Sequence, residues 1–208
     1  MMSGLILAGG RNRGMNGVHK AFLVLDHVTF IERQISEMRK CCSDITIVTN
    51  DPMPFLKAVD RAVRVITDYF PGGGALSGMH AGLTLAKQTN VWVADCGMPF
   101  ISAKAAKLLL DSKKEGLDAV IPWIEERAHP LHGVYDRSCA AVIGSMVEQG
   151  KASFPALLEQ LSWVKLPESV FEEKGIDSRF VKAIKTKEDY EALLAWHESL
   201  KMNYMNGM

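Results

Sequence analysis

The chain begins with a short apolar run, residues 4–7, which stops at a glycine pair and passes into a polar, glycine-rich stretch. A run of this length bounded by glycines is typical of a buried parallel strand that turns into a loop. Ser102 and Thr186 are placed to cap helices. Strands that alternate with helices predict a doubly wound, mostly parallel sheet with helices on both faces. Further strands are predicted at residues 45–49, 63–67, 91–94, 117–122 and 131–135. Helices are predicted at residues 29–40, 102–114, 137–149, 154–161 and from 186 onward, and another follows the glycines at 72–74 with Leu76, Met79, Leu83 and Ala86 on one face.

The composition indicates an ordinary globular protein of 208 residues, which we expect to form one domain over residues 1–200 with a frayed tail at 201–208. Lys plus Arg and Asp plus Glu number 24 each, so no net charge attracts nucleic acid or an anionic membrane. No signal peptide or membrane-spanning run is predicted, which favours a cytoplasmic protein. The four cysteines lack zinc-site spacing and are expected to be reduced thiols.

Ligands of doubly wound sheets bind in the crevice at the carboxyl ends of the strands. The segments predicted to lie there, residues 8–20, 49–52, 68–74 and 95–100, are rich in Gly, Asp and Asn. The first is not a Walker loop, because Gly14 is followed by Met15. Glycines nevertheless let backbone N–H groups approach a phosphate, and basic side chains neutralise its charge. The alternative is a flexible turn whose basic side chains are solvated.

Four motifs follow one another along the chain. The first is Leu-Ala-Gly-Gly at residues 7–10 followed by Lys20, and the second is Asp68 with the glycine-rich turn at 71–78. The third is Cys-Gly-Met-Pro-Phe at 96–100, and the fourth is His-Pro-Leu-His-Gly-Val-Tyr at 129–135. In this order they resemble the motifs of the molybdenum cofactor guanylyltransferases, and the similarity extends over residues 4–195. Together the four motifs are specific for that family, whereas each motif alone is weak.

The resemblance implies a nucleotide-diphospho-sugar-transferase-like, Rossmann-like fold and the transfer of the GMP part of GTP to molybdopterin, with Mg²⁺ assisting and pyrophosphate released. It also implies transient contact with molybdoenzyme maturation proteins. By position, Lys20 would hold the nucleotide phosphates and Asp68 would contact the nucleotide, and both would be catalytic. The implied nucleotide-binding residues are Leu7, Ala8, Gly9, Gly10, Arg13, Lys20, Asp68 and Gly74.

Several positions depart from the family pattern: Gly14, Asn16 and His19 in the first loop, Ala75 in the turn and, near the carboxyl end, residues 183–187. The metal-binding Asp position of the family is Gly97, which has no side-chain oxygen for a hard cation. Asp95, two residues earlier, points the same way in an extended segment, so we predict it as the metal ligand. The alternatives are that Asp95 caps a turn or pairs with a basic residue, and that Asp68 holds the metal alone.

Three hypotheses follow. The first is the guanylyltransferase activity, which the Ala-Gly-Gly form of the loop favours, since cytidylyl relatives often carry a second alanine there. The second is a nucleotide- or partner-binding protein that has lost catalysis, and the third is a related transferase that uses CTP or a sugar phosphate. A metal pair at His129 and His132 beside Glu125 and Glu126 is disfavoured, because these residues do not share one helical face.

Overall fold

The computed structural model describes residues 1–10, 15, 17–70 and 73–206. Within these residues the chain forms ten strands, eight α-helices and short 3₁₀ turns. The strands are β1 (Met2–Leu7), β2 (Val24–Leu25), β3 (Val28–Thr29), β4 (Cys42–Val48), β5 (Val63–Ile66), β6 (Asn90–Asp95), β7 (Ala119–Ile124), β8 (Arg127–Ala128), β9 (Val134–Asp136) and β10 (Trp163–Pro167). The helices are α1 (Phe30–Met38), α2 (Pro52–Ala58), α3 (Gly74–Thr84), α4 (Ala103–Ser112), α5 (Cys139–Glu148), α6 (Phe154–Gln160), α7 (Glu168–Glu172) and α8 (Lys187–Asn206).

The main sheet has the strand order β10-β7-β9-β6-β1-β4-β5, with β8 paired to β7. Its strands are parallel except β8 and β9, and β9 is antiparallel to both β6 and β7. Alternate residues of β1 pack into two different cores, Ile6 into one and Leu5 and Leu7 into the other. Because both faces are buried, the middle parts of the central strands are mostly apolar. The predicted mostly parallel, doubly wound sheet is confirmed.

The strand predicted at residues 131–135 is wrong in its first half. Pro130–His132 forms a 3₁₀ turn, and β9 starts only at Val134. Tyr135 Oη donates a hydrogen bond of 2.7 Å to the Pro130 carbonyl, which closes the turn against the strand. Proline fixes φ near the helical value and donates no N–H, so a turn is favoured over a strand at this point.

Two tight hairpins, which we did not predict from the sequence, connect β2 with β3 and β7 with β8. Their two-residue turns place Asp26 (φ 58°), His27 (φ 63°), Glu125 (φ 51°) and Glu126 (φ 57°) in the left-handed region. Such turns usually contain glycine or asparagine, and neither residue occupies these four positions. Glu125 and Glu126 therefore build a turn.

Both predicted helix caps are confirmed. Ser102 Oγ accepts the N–H of Ala105 at 3.2 Å, and Thr186 and Asp189 exchange reciprocal hydrogen bonds at the start of α8. This last helix continues through Asn206, past residue 200, so fraying of residues 201–208 stays a prediction. No helix in the described ranges has the length and apolarity needed to cross a membrane.

Candidate active site

A cavity of about 360 Å³ lies where β1, β4 and β6 end, beside the start of α3. The predicted residues Leu7, Gly9, Gly10, Asp68, Gly74 and Asp95 line it. This is the crevice at the carboxyl ends of the strands, where ligands of such sheets bind. The structure therefore brings most of the predicted nucleotide-binding residues together, and it adds Val48, Asn50, Ala75 and Gly78.

In the loop after β1, hydrogen bonds hold the first residue in place, and the backbone N–H groups of two glycines remain available. The Ala8 N–H donates to the Val48 carbonyl at 2.7 Å, so this buried residue continues the sheet and does not face the cavity. Asn50 Nδ2 donates to the Gly9 carbonyl at 2.6 Å. Within the described residues, the N–H groups of Gly9 and Gly10 have no acceptor. Two unpaired backbone donors on a cavity wall suit an anionic phosphate.

His19 connects this loop to Lys20. Its Nδ1 accepts the N–H of Ala21 at 3.3 Å, so Nε2 carries the proton and donates to the Ala8 carbonyl at 2.9 Å. Burial against Phe22 and Phe55 lowers the pKa of His19 below its ordinary value. The neutral imidazole thus holds the strand end next to the short 3₁₀ turn that starts at Lys20.

Lys20 and Asp95 form an ion pair, with 3.7 Å between Lys20 Nζ and Asp95 Oδ1. The same Oδ1 accepts the N–H of Gly97 at 2.7 Å. Asp95 therefore caps a turn and also pairs with a basic residue, the two contacts that the sequence analysis gives as alternatives to a metal role. Both contacts use Oδ1, which leaves Oδ2 for an incoming group. Asp95 lines the cavity together with Asp68, which places two carboxylates on its wall.

The turn after β6 is held from two sides. The buried Gln34 of α1 donates from Nε2 to the carbonyls of Asp95 and Met98, both at 2.8 Å. On the other side, the N–H of Ile184 donates to the Gly97 carbonyl at 2.8 Å. Sequence reasoning missed Gln34, since a polar residue on an amphipathic helix is usually assigned to the exposed face.

A second cavity of about 480 Å³ adjoins the first and shares Asp95 with it. Lys20, which does not line the first cavity, lies here with three further cationic side chains, Arg127, Lys182 and Lys185, and with His129. Glu125 offsets part of this charge through contacts with Arg127 and Lys182. This cluster could not be predicted from the sequence, because its members come from the 3₁₀ turn that starts at Lys20, from the β7–β8 hairpin and from a segment some fifty residues later.

The fourth motif builds the wall of the second cavity. His129 lines it, and its Nε2 lies 3.1 Å from the Ile124 carbonyl, while burial lowers its pKa. His132 is fully buried, and its Nε2 accepts the N–H of Ser102 at 3.3 Å. The two histidines thus have separate structural environments.

Three of the positions in question, Arg13, Gly14 and Asn16, lie outside the described residues. Among the residues that are described, no three His, Cys, Asp or Glu side chains form a metal cluster. Mg²⁺ needs no such cluster, since it keeps several waters and binds through one or two carboxylates and substrate phosphates. Asp68 and Asp95 fit that requirement.

Comparison with known proteins agrees with this geometry. Residues 4–164 match the family model described as the MobA-like NTP transferase domain. A molybdenum cofactor guanylyltransferase from Desulfosudis oleivorans is 33% identical over 192 residues, covering 91% of this chain and 93% of that relative. The crystal structure of molybdopterin-guanine dinucleotide biosynthesis protein A from Archaeoglobus fulgidus covers 95% of this chain and 100% of its own, at 25% identity and a TM-score of 0.79.

The fold is also shared more widely. The 2-C-methyl-D-erythritol 4-phosphate cytidylyltransferase from Thermus thermophilus aligns with 95% of this chain and 98% of its own length at a TM-score of 0.64, but at only 15% identity. That likeness shows the fold alone. The family match, the cavity at the strand ends and the full-length relative together show that this chain belongs to the MobA-like nucleotidyltransferases.

Proposed function

We propose that the protein transfers the GMP part of GTP to molybdopterin, forming the guanine dinucleotide cofactor and releasing pyrophosphate. The observation that carries the proposal is the pair of adjoining cavities that meet at Asp95. One is lined by glycines and a helix start and suits a nucleotide. The other is lined by basic side chains and suits the phosphate of a second substrate.

The nucleotide phosphates would bind the open N–H groups of Gly9 and Gly10 and the amino-terminal end of α3. Helix amino termini attract anions because their first N–H groups are unpaired. A Cβ at Gly78 of α3 would lie 3.4 Å from Leu7 Cδ2 at the end of β1. The helix therefore packs close to the start of the loop. Arg13, outside the described residues, is proposed as a further phosphate contact.

The terminal phosphate of molybdopterin would lie among Lys20, Lys182 and Lys185. A phosphate monoester is already largely ionised near pH 7, since its second pKa is about 6. Its oxygen can therefore attack the α-phosphorus without a general base, and these residues act by orienting the two phosphates and neutralising their charge. Lys20, at the junction, would contact both.

Mg²⁺ would be held by Asp95 and Asp68 and would supply positive charge to the phosphates. Before the nucleotide binds, Lys20 would neutralise the Asp95 carboxylate, and the nucleotide phosphates would then offer Lys20 a second partner. Asp95 Oδ2, which has no hydrogen-bond partner among the described residues, would be available to the ion. Gly97 leaves this role to Asp95.

The test is pyrophosphate release and guanine dinucleotide formation from GTP, molybdopterin and Mg²⁺. We expect turnover by the unmodified protein and a loss of about 10²–10³-fold in Asp95→Asn, since one electrostatic contact to the reacting phosphates is removed. Asp111→Asn, on the exposed side of α4, is the matched control and should behave as the unmodified protein. Calorimetric titration with GTP, CTP and UTP, each with and without Mg²⁺, identifies the base.

GTP binding with no turnover in the unmodified protein would contradict the proposal and support the binding-protein hypothesis. Turnover with CTP in place of GTP would support the third hypothesis. We further propose that the reaction takes place in the cytoplasm, with transient contact to molybdoenzyme maturation proteins. Co-purification of such a protein from cell extract tests that contact.

A further inference from the structure

Two neighbouring thiols come together at the start of β4, at the end of the sheet opposite the cavities. Cys41 Sγ lies 4.0 Å from Cys42 Sγ, and both residues are half-buried, free cysteines. Consecutive residues of a strand point to opposite faces, so strand geometry alone would separate them. The separation is short because Cys41 still belongs to the turn after α1, where its N–H donates to the Met38 carbonyl at 3.1 Å.

The pair suits a shared metal ion better than a disulfide. Adjacent Cα atoms are about 3.8 Å apart, whereas bridged cysteines usually have Cα atoms about 4.4–6.8 Å apart. Two metal–sulfur bonds of about 2.3 Å span the 4.0 Å between Cys41 Sγ and Cys42 Sγ at an angle of about 120°. One ion can therefore bridge the two sulfurs as they stand.

A third sulfur lies beside them. Met38 is fully buried, and its Sδ packs against Gly4 of β1. A Cβ at Gly4 would lie 2.7 Å from Met38 Sδ and 3.3 Å from Cys42 Sγ, so these two sulfurs are at most about 6 Å apart. Because Gly4 has no side chain, Met38 Sδ and Cys42 Sγ both border the position that its Cβ would occupy.

The contacts of the two thiols favour ionisation of Cys41 over Cys42. The hydrogen bond with Cys42 lowers the pKa of Cys41, and Lys107 acts in the same direction, whereas burial and Glu37 raise it. The same hydrogen bond, burial and Asp44 raise the pKa of Cys42. Metal binding needs the thiolate and releases the thiol proton to solvent.

We propose that Cys41, Cys42 and Met38 bind one soft, thiophilic metal ion of the Cu(I) class. Thiolate and thioether ligands together select such ions. Zinc sites need four ligands, and within the described ranges no third His, Cys, Asp or Glu joins this pair. The bound ion would join the end of α1 to the start of β4 and so stabilise the folded state.

The experiment is an anaerobic titration of the reduced, full-length protein with Cu(I) in competition with a chromophoric Cu(I) chelator. We expect one tightly bound ion. Cys41→Ser and Cys42→Ser should each weaken binding by about 10²–10⁴-fold, because one arm of the chelate is lost. Met38→Leu, which keeps the apolar volume, should also weaken binding. Cys139→Ala, in the core on the other face of the sheet, is the control and should bind as the unmodified protein.

Binding that survives in the Cys41→Ser/Cys42→Ser double variant would overturn the site, and unchanged binding in Met38→Leu would overturn its third ligand. A measurement on the unmodified protein avoids any loss of folding in the variants. X-ray absorption at the copper edge should then show three sulfur neighbours, and two would contradict the proposal. Cu(I) should also raise the Tm of the unmodified protein but not that of the double variant.

Discussion

Position 97 is glycine in this chain for a packing reason. A Cβ there would lie 2.8 Å from the Ile184 carbonyl and 2.9 Å from Asp95 Oδ1, both closer than real contacts allow. The segment that carries Ile184 donates an N–H to the Gly97 carbonyl, so its backbone is tied to this turn. The carboxylate that the family pattern has at position 97 and the close approach of this segment exclude each other, which is why the proposal gives the metal to Asp95.

We predict that Gly97→Asp, which restores the residue type of the family, lowers both stability and turnover. Displacing the backbone at Ile184 should cost about 1–3 kcal/mol of unfolding free energy, as overpacking commonly does. Urea unfolding and the pyrophosphate assay measure the two effects. Gly10→Ala is the stability control, because a Cβ there meets no described atom within 4 Å. Higher activity in Gly97→Asp than in the unmodified protein would show that Asp95 does not replace the missing carboxylate.

At the scale of elements, α1 positions the active-site turn through one side chain. Gln34 Nε2 donates to the carbonyls of Asp95 and Met98, which flank Cys96 and Gly97. Water cannot readily replace the amide, because Gln34 itself is fully buried. The helix therefore fixes the direction in which Asp95 leaves the sheet.

Gln34→Met should lower the unfolding free energy by about 1–3 kcal/mol, since a buried and a part-buried carbonyl lose their donor while the volume is kept. Turnover should fall more than GTP affinity, because Asp95 is displaced while the glycine loop is not. Chemical unfolding, calorimetry and the transfer assay separate these effects. Ser36→Ala, on the same helix and without this contact, serves as the comparison. Equal losses of affinity and turnover would argue against a positioning role.

The features that could be predicted from the sequence depend on local backbone chemistry, whereas those that could not depend on the tertiary fold. Strand ends marked by glycine, such as Gly9 and Gly10, were predictable because local backbone chemistry determines them. The caps at Ser102 and Thr186 were predictable for the same reason. The second cavity was not, since Lys20 and Lys185 become neighbours only through the tertiary fold. Nor was the function of His19, whose two hydrogen bonds depend on how the loop closes.

At the scale of the whole molecule, buried neutral histidines make stability depend on pH. His132 is enclosed by Trp92 and Phe180, with ring centroids 5.1 and 4.6 Å away, and burial lowers its pKa to about 3. Burial also lowers the pKa values of His19 and His129. Unfolding exposes all three rings to water, where the ordinary pKa is about 6.5. Below that pH the unfolded chain binds more protons than the folded chain, so stability falls as pH falls.

We predict that the unfolding free energy decreases from pH 7 to pH 5, with His132 alone accounting for about 2 kcal/mol of the change. Glutamine takes up no proton on unfolding, so the unfolding free energy of His132→Gln should decrease by about 2 kcal/mol less between pH 7 and pH 5. The variant should nevertheless be less stable than the unmodified protein at pH 7. Urea unfolding at pH 7, 6 and 5 measures the slopes. Ser36→Ala, at an exposed position of α1 that carries no titratable group, is the control and should leave the slope unchanged. If the slope of His132→Gln equals that of the unmodified protein, His132 does not contribute to the pH dependence. The ring would then take up its proton in the folded state, which requires the core between β6 and the 3₁₀ turn at Ser178–Val181 to open in mild acid.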